Sequence, residues 1–227
     1  MKGHLRILET NVPVETQMEY FRISEKIGRL PDKPIPFEHQ LDLINAPNAS
    51  EKEKKYCLAA LAHSGDVRAY RALEAYAGHP EPALKDWAAM ALMEARVSLE
   101  AELSDEKQIF ISTGLGGKGS KLRFFALMKS KKLKPFSPYQ KDLIEREFPF
   151  QIGMSNGSVD DISVEKNYIT LVFLLEISAN IRHVLDNAII ECNQYGDFID
   201  TSYLVTNVKI FSKEDIENEL KKAEDEN

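Results

Sequence analysis

Residues 114–121 read GLGGKGSK, a run whose glycines can expose backbone N–H groups and whose lysines supply ammonium charge, the two ingredients of an anion-binding nest. A P-loop would read G-x-x-x-x-G-K-[ST] with a helix behind it. Here Lys118 precedes Gly119, and the residues that follow, KLRFFALM, have the aromatic and aliphatic character of a strand. Two readings stand. In one the stretch is a hairpin tip, with glycine supplying positive φ and nothing more. In the other Gly116, Gly117, Lys118, Gly119, Lys121 and Arg123 hold a small anion: a phosphate, a carboxylate or a partner's acidic side chain. The second reading lacks the helix N-terminus that strengthens phosphate loops.

Other reactive residue types lack a productive spacing. Asp160 and Asp161 are neighbours on an expected strand, so they should point to opposite faces and share neither a proton nor a metal. Asp197 and Asp200 follow Gly196 at a helix-to-strand connection, where aspartate forms turns. His4, His39, His63, His79 and His183 show no helical ligand spacing, and His63 and His79 read as solvated turn residues. Neither a G-x-S-x-G elbow nor a G-x-G-x-x-G fingerprint occurs. Cys57 and Cys192 sit within apolar helical patterns and read as small buried hydrophobes. No catalytic residue, metal, disulfide or cofactor is therefore expected, and a binding role is favoured over an enzymatic one.

Charge narrows the partners. The net charge is −7, yet residues 107–134 carry eight basic side chains and no acidic one. An acidic chain repels a polyanion at long range, which disfavours nucleic acid, while a local basic island can still draw one anion. The run Lys129, Lys131, Lys132 and Lys134 reads more simply as a solvated edge that discourages strand aggregation. The longest aliphatic and aromatic run, LVFLL at 171–175, falls far short of the roughly 20 residues that cross a bilayer, and the N-terminus lacks a secretory apolar block. A cytoplasmic protein with a protein partner is expected.

The elements that would carry these residues fall into two halves. KKYCLAALA at 54–62 lies over KDWAAMALM at 85–93 with an offset of 31 residues, matching Tyr56 to Trp87 and Ala60-Leu61 to Ala91-Leu92. Between them Val67, Tyr70, Leu73, Tyr76 and Ala77 recur at helical spacing before Gly78, Pro80 and Pro82. The stretch HSGDVRAYRALEAYAGHPEPALKDWAAMALMEA resembles a HEAT-type repeat of the short variety found in phycobilisome lyases. The resemblance rests on Leu73, Pro80, Pro82, Leu84, Ala88, Ala89, Ala91 and Leu92 within residues 50–100, with Lys85 where that variety often has arginine. It implies a stack of helix pairs with one face open to bind proteins. Residues 14–30 and 37–46 are the expected degenerate first helices.

From residue 105 the period changes. Strands are expected at 109–113 and 122–128, a helix from Ser137-Pro138 to about Phe148 that stops at Pro149, strands at 159–164 and 168–175, a helix from Ile181 to Gly196, a strand at 202–211 and a helix capped by Ser212 that frays at its end. From residue 122 this is the ferredoxin-like order, with the 109–113 strand added in front. The expected fold is α+β in two domains: a HEAT-like α-helical stack over 1–104, and a ferredoxin-like α/β sandwich with an extra N-terminal strand over 105–227. The apolar run YITLVFLL needs cover on both faces. The second cover is either the helical stack or a second copy of the chain pairing through this sheet.

Overall fold

The computed structural model describes residues 4–30, 35–104 and 108–225; Lys107, the 104/105 boundary and the last two residues of the expected fraying end lie outside them. Helix and sheet are mixed, and the chain divides into two compact units, Met1–Thr113 and Gly114–Asn227.

In the first unit, helices α1 (Val14–Gly28), α2 (Phe37–Asn45), α3 (Glu51–Ala62), α4 (Val67–Gly78) and α5 (Lys85–Leu103) follow one another. Ser50 and Glu53 close a reciprocal capping box at the start of α3, and Asp66 caps α4 through the Arg68 N–H. Helix α2 packs on α3 and α4 on α5, while α3 and α5 pack on each other and α1 lies across both. Small residues permit that close approach: Ala59, Ala62 and Ala91 are buried beside Trp87, Leu58 and Leu61.

One expectation fails here. The strand expected at 109–113 in front of the C-terminal sheet is instead β2 (Gln108–Ile111), and it pairs in parallel with β1 (His4–Ile7), a strand well ahead of residue 101. The pair belongs to the first unit, so the change of unit falls after Thr113. A parallel pair needs a long crossover, and here the whole helical stack is the crossover.

The second unit holds β3 (Gly117–Lys118), β4 (Lys121–Ser130), α6 (Pro138–Met154), β5 (Ser158–Val164), β6 (Tyr168–Glu176), α7 (Ile181–Asn193), β7 (Ile199–Thr206) and α8 (Lys213–Asp225). All its strand pairings are antiparallel, β5 with β6, β6 with β4 and β4 with β7, while β3 adds a short pairing at the other end of β4. Alternation sorts the side chains. Phe124, Ala126 and Met128 of β4 join Ile169, Leu171, Phe173 and Leu175 of β6 under α6 and α7. Phe125, Leu127 and Val172 face the other way, where Leu115 and Ile216 of α8 cover them. The second cover is thus supplied by the unit's own last helix.

Helix α6 opens on a Ser137 capping box with Gln140 but runs through Pro149 instead of stopping there. Pro149 removes the donor to the Glu145 carbonyl, and Glu145 is exposed so that water can take that group. Phe148 and Ile152, both fully buried, hold the helix on either side. Pro149→Ala is therefore expected to stabilise the unit, by up to about 3 kcal/mol, in urea unfolding; a loss of stability would mean that the ring's packing outweighs the missing bond. The last strand also differs from expectation, spanning 199–206 rather than 202–211.

Candidate functional site

The glycine-rich stretch is a hairpin. Lys118 pairs with Lys121 across Gly119-Ser120, and a positive φ at Gly119 but not at Ser120 is the pattern of a type II′ turn. Gly114 answers a different need: a Cβ there would lie 1.7 Å from the Val208 carbonyl oxygen, so the chain passes only without a side chain. Gly116 also has positive φ, and its carbonyl accepts the Arg123 N–H. Lys118 is exposed at the tip and Lys121 half-buried behind it.

The candidate cations are brought together, and carboxylates come with them. Arg123 donates to Asp160 at 2.7 Å and to the Leu115 carbonyl at 2.9 Å. Ser120 Oγ donates to Glu176, which stands across the ladder from Lys121. Further along, Lys129 lies 3.7 Å from Asp200 and Lys131 2.5 Å from Asp197. Burial pushes the Asp200 carboxyl up, but hydrogen bonds from Ser202 and the charges of Lys129 and Lys131 outweigh it and hold the group below its ordinary value. The basic island of the sequence is therefore interleaved with acids in space.

Asp160 corrects a second expectation. A bulge between Val159 and Asp161 leaves Asp160 without a register partner. Asp161 opposes Val172 of the α8-covered face, and Asp160 meets Arg123, which lies on that same face between Leu122 and Phe124. The extra residue puts both carboxylates on one face, where strict alternation would separate them.

One constellation went unread in the sequence. In the first unit Glu94 accepts Tyr20 Oη and Ser24 Oγ at 2.5 Å each, with His63 Nδ1 at 3.6 Å. Ser24 hydrogen-bonds the carboxylate rather than the imidazole, so this is an acceptor node and not a nucleophile–base relay. Their separation along the chain, about 70 residues from Tyr20 and Ser24 to Glu94, hid it. No group of three or more acidic, histidine or cysteine side chains among the described residues could hold a metal. Burial pushes the thiols of Cys57 and Cys192 up to about 11 and 12, away from reactivity.

No family model matches this chain, and no curated protein matches it. What remains are the concave surfaces. Between α2 and α4 a cavity of about 450 Å³ is lined by Leu41, Ile44, Ala72, Tyr76 and Glu81. Glu81 is paired there with the buried Lys54, and the Tyr76 hydroxyl is buried without a hydrogen-bond partner. In the second unit a groove of about 560 Å³ runs beside β7, walled by Phe124, Ile181, Arg182, Asp186 and Val205. No helix among the described residues is long and apolar enough to cross a membrane.

Proposed function

We propose that the chain is a non-catalytic protein-interaction protein of the cytoplasm, with a HEAT-like helical stack as its recognition surface and a ferredoxin-like second domain. The observation that carries this reading is the cavity between α2 and α4. Helices α3 and α5 pack directly on each other, while their partners α2 and α4 meet where Arg68 lies over the Phe37 ring and leave a concave strip between them beyond that contact. Repeats that stack through one row offer the other row as a binding surface. Its lining mixes apolar walls with the Glu81 carboxylate and the Tyr76 ring, the composition of a site that anchors a side chain rather than one that performs chemistry. The strand order β5-β6-β4-β7 with α6 and α7 on one face supports the ferredoxin-like description. The two free, buried thiols suit a reducing compartment.

Ala72→Arg would place a long charged side chain in the cavity without touching the buried core. In quantitative cross-linking and co-purification from the native cells, a partner held by this surface is expected to bind the variant about tenfold or more weakly, with unchanged circular dichroism. A partner retained at full strength would move the recognition surface elsewhere. The hairpin at 116–123 is the weaker candidate for recognition, because Asp160 engages Arg123 and Glu176, held by the Ser120 hydroxyl, stands opposite Lys121.

A further inference from the structure

Strand β7 is an edge. Among the described residues its one neighbour in the sheet is β4. The Ser202 N–H goes to the carboxylate of Asp200, and the Asn207 carbonyl is turned inward to Leu115. In β4 the odd-numbered residues turn their backbone groups to this side, since the Arg123 N–H meets Gly116 and the Lys131 N–H meets Phe198, so Leu204 and Thr206, opposite Leu127 and Phe125, bond β4, and Tyr203 and Val205 face away from it. Natural edges are blunted by proline, lysine or a covering element. The sequence of β7, IDTSYLVT, has neither proline nor lysine, and its flank on the α7 side is a half-open groove with Phe124, Ile181 and Val205 along it.

The charges beside this edge have a self-complementary arrangement. Arg182 and Asp186 stand one helical turn apart on α7, at the wall of the groove, their closest atoms 3.6 Å apart. That separation leaves the pair loosely engaged, and the Arg182 side chain is 88% exposed. The Tyr203 hydroxyl donates to Asp186 at 2.7 Å and lies 3.3 Å from the Arg182 carbonyl. Tyr203 is in the middle of β7, so the two charges lie opposite the strand's midpoint.

We infer that β7 pairs with β7 of a second copy of this chain, antiparallel, about a twofold axis beside Leu204. A twofold interface presents one patch to itself, so a cation and an anion flanking the axis each meet the opposite charge of the other copy. Arg182 of each copy would reach Asp186 of the other. Tyr203 and Val205 would exchange backbone hydrogen bonds with Val205 and Tyr203 of the other copy, joining the two sheets into one. Both α7 helices would then lie on the same face of that sheet, and the two grooves would close on each other, removing Ile181 and Val205 from water. An unrelated extended peptide could use the backbone edge but would have no reason to supply the paired charges in this spacing.

Sedimentation velocity and light scattering on the full chain test the inference. The wild-type chain is expected to be dimeric at micromolar concentration. Arg182→Glu sets two like charges against Asp186 across the axis and is expected to weaken association about tenfold or more while leaving the fold intact, since this side chain is almost fully solvated. Asp186→Arg makes the opposite patch, and mixing the two variants is expected to restore a dimer that neither forms alone. Should Asp186→Arg disturb Tyr203, hydrogen exchange decides by itself: the Val205 amide is expected to be protected in wild type and open in Arg182→Glu. A wild-type chain that stays monomeric overturns the inference, and so does a dimer indifferent to Arg182→Glu.

Discussion

Glu94→Ala is expected to destabilise the helical unit by roughly 2–5 kcal/mol, because two buried donors lose one acceptor at once. Tyr20 is 0% exposed and Ser24 6%, and the hydroxyls of both end on the Glu94 carboxylate. The Tyr20 ring packs edge-on against Trp87 at 5.2 Å, so the phenol cannot turn outward to water without opening that contact. The Glu94 side chain is itself 23% exposed, which lets solvent relieve part of the loss and sets the lower end of the range. Urea unfolding measures the effect, and adding Tyr20→Phe isolates its cause. Removing the stranded hydroxyl from the Glu94→Ala background should recover part of the stability, whereas Tyr20→Phe in wild type should cost about 1 kcal/mol. Equal effects in the two backgrounds would show that the node is not coupled. The same node sets an alkaline limit. Burial, then the Glu94 charge, raises the Tyr20 phenol well above its ordinary value of 10.0. The folded state keeps it neutral where the unfolded chain ionises, so this contribution is whole below about pH 10 and lost as the pH climbs through the folded value.

How much of this was legible depended on the range of the signal. Helix starts are local: Ser50 with Glu53, and Ser137 with Pro138 and Gln140, announce α3 and α6 within four residues, and both boxes form. Central strands are nearly local, since YITLVFLL must be covered on two faces. Pairing is not local. Residues 108–111 have a strand's composition, but their partner at 4–7 lies about a hundred residues away and carries no matching mark. Position 149 misled because a proline's cost depends on whether the orphaned carbonyl finds water, which is a property of the surface. At the hairpin the turn chemistry was readable from Gly119, while the acids that answer Arg123 and Ser120 sit on β5 and β6 and arrive only with the register. The β7 edge belongs to the sheet order rather than to its own residues, so no window of sequence could report it.

The largest effect expected in the second unit comes from Ile216→Asp. Helix α8 holds few apolar residues in KEDIENELKKAED, and among its described side chains Ile216 is the one buried outright, at 7% exposure, in the cluster formed with Leu115, Phe125, Leu127 and Val172. A carboxylate there would have no partner in an apolar cluster, and the lost burial of isoleucine adds to that cost, for a total of about 3–5 kcal/mol. The unit has a cheaper response than global unfolding. The core under α6 and α7 is a separate cluster on the opposite face of the sheet, so α8 should release while that core stays closed. Hydrogen exchange would register this as lost protection in residues 213–222 with α6 and β6 still protected, accompanied by dye binding to the bared Phe125 and Val172. The N-terminal cap of α8 cannot rescue the docked state, since Ser212, Asp215 and Lys209 bond one another at the solvent-facing end of the helix and only order its first turn. Loss of protection throughout the unit would instead mean that the two faces of the sheet fold as one, with α8 part of the core rather than a cover laid over it.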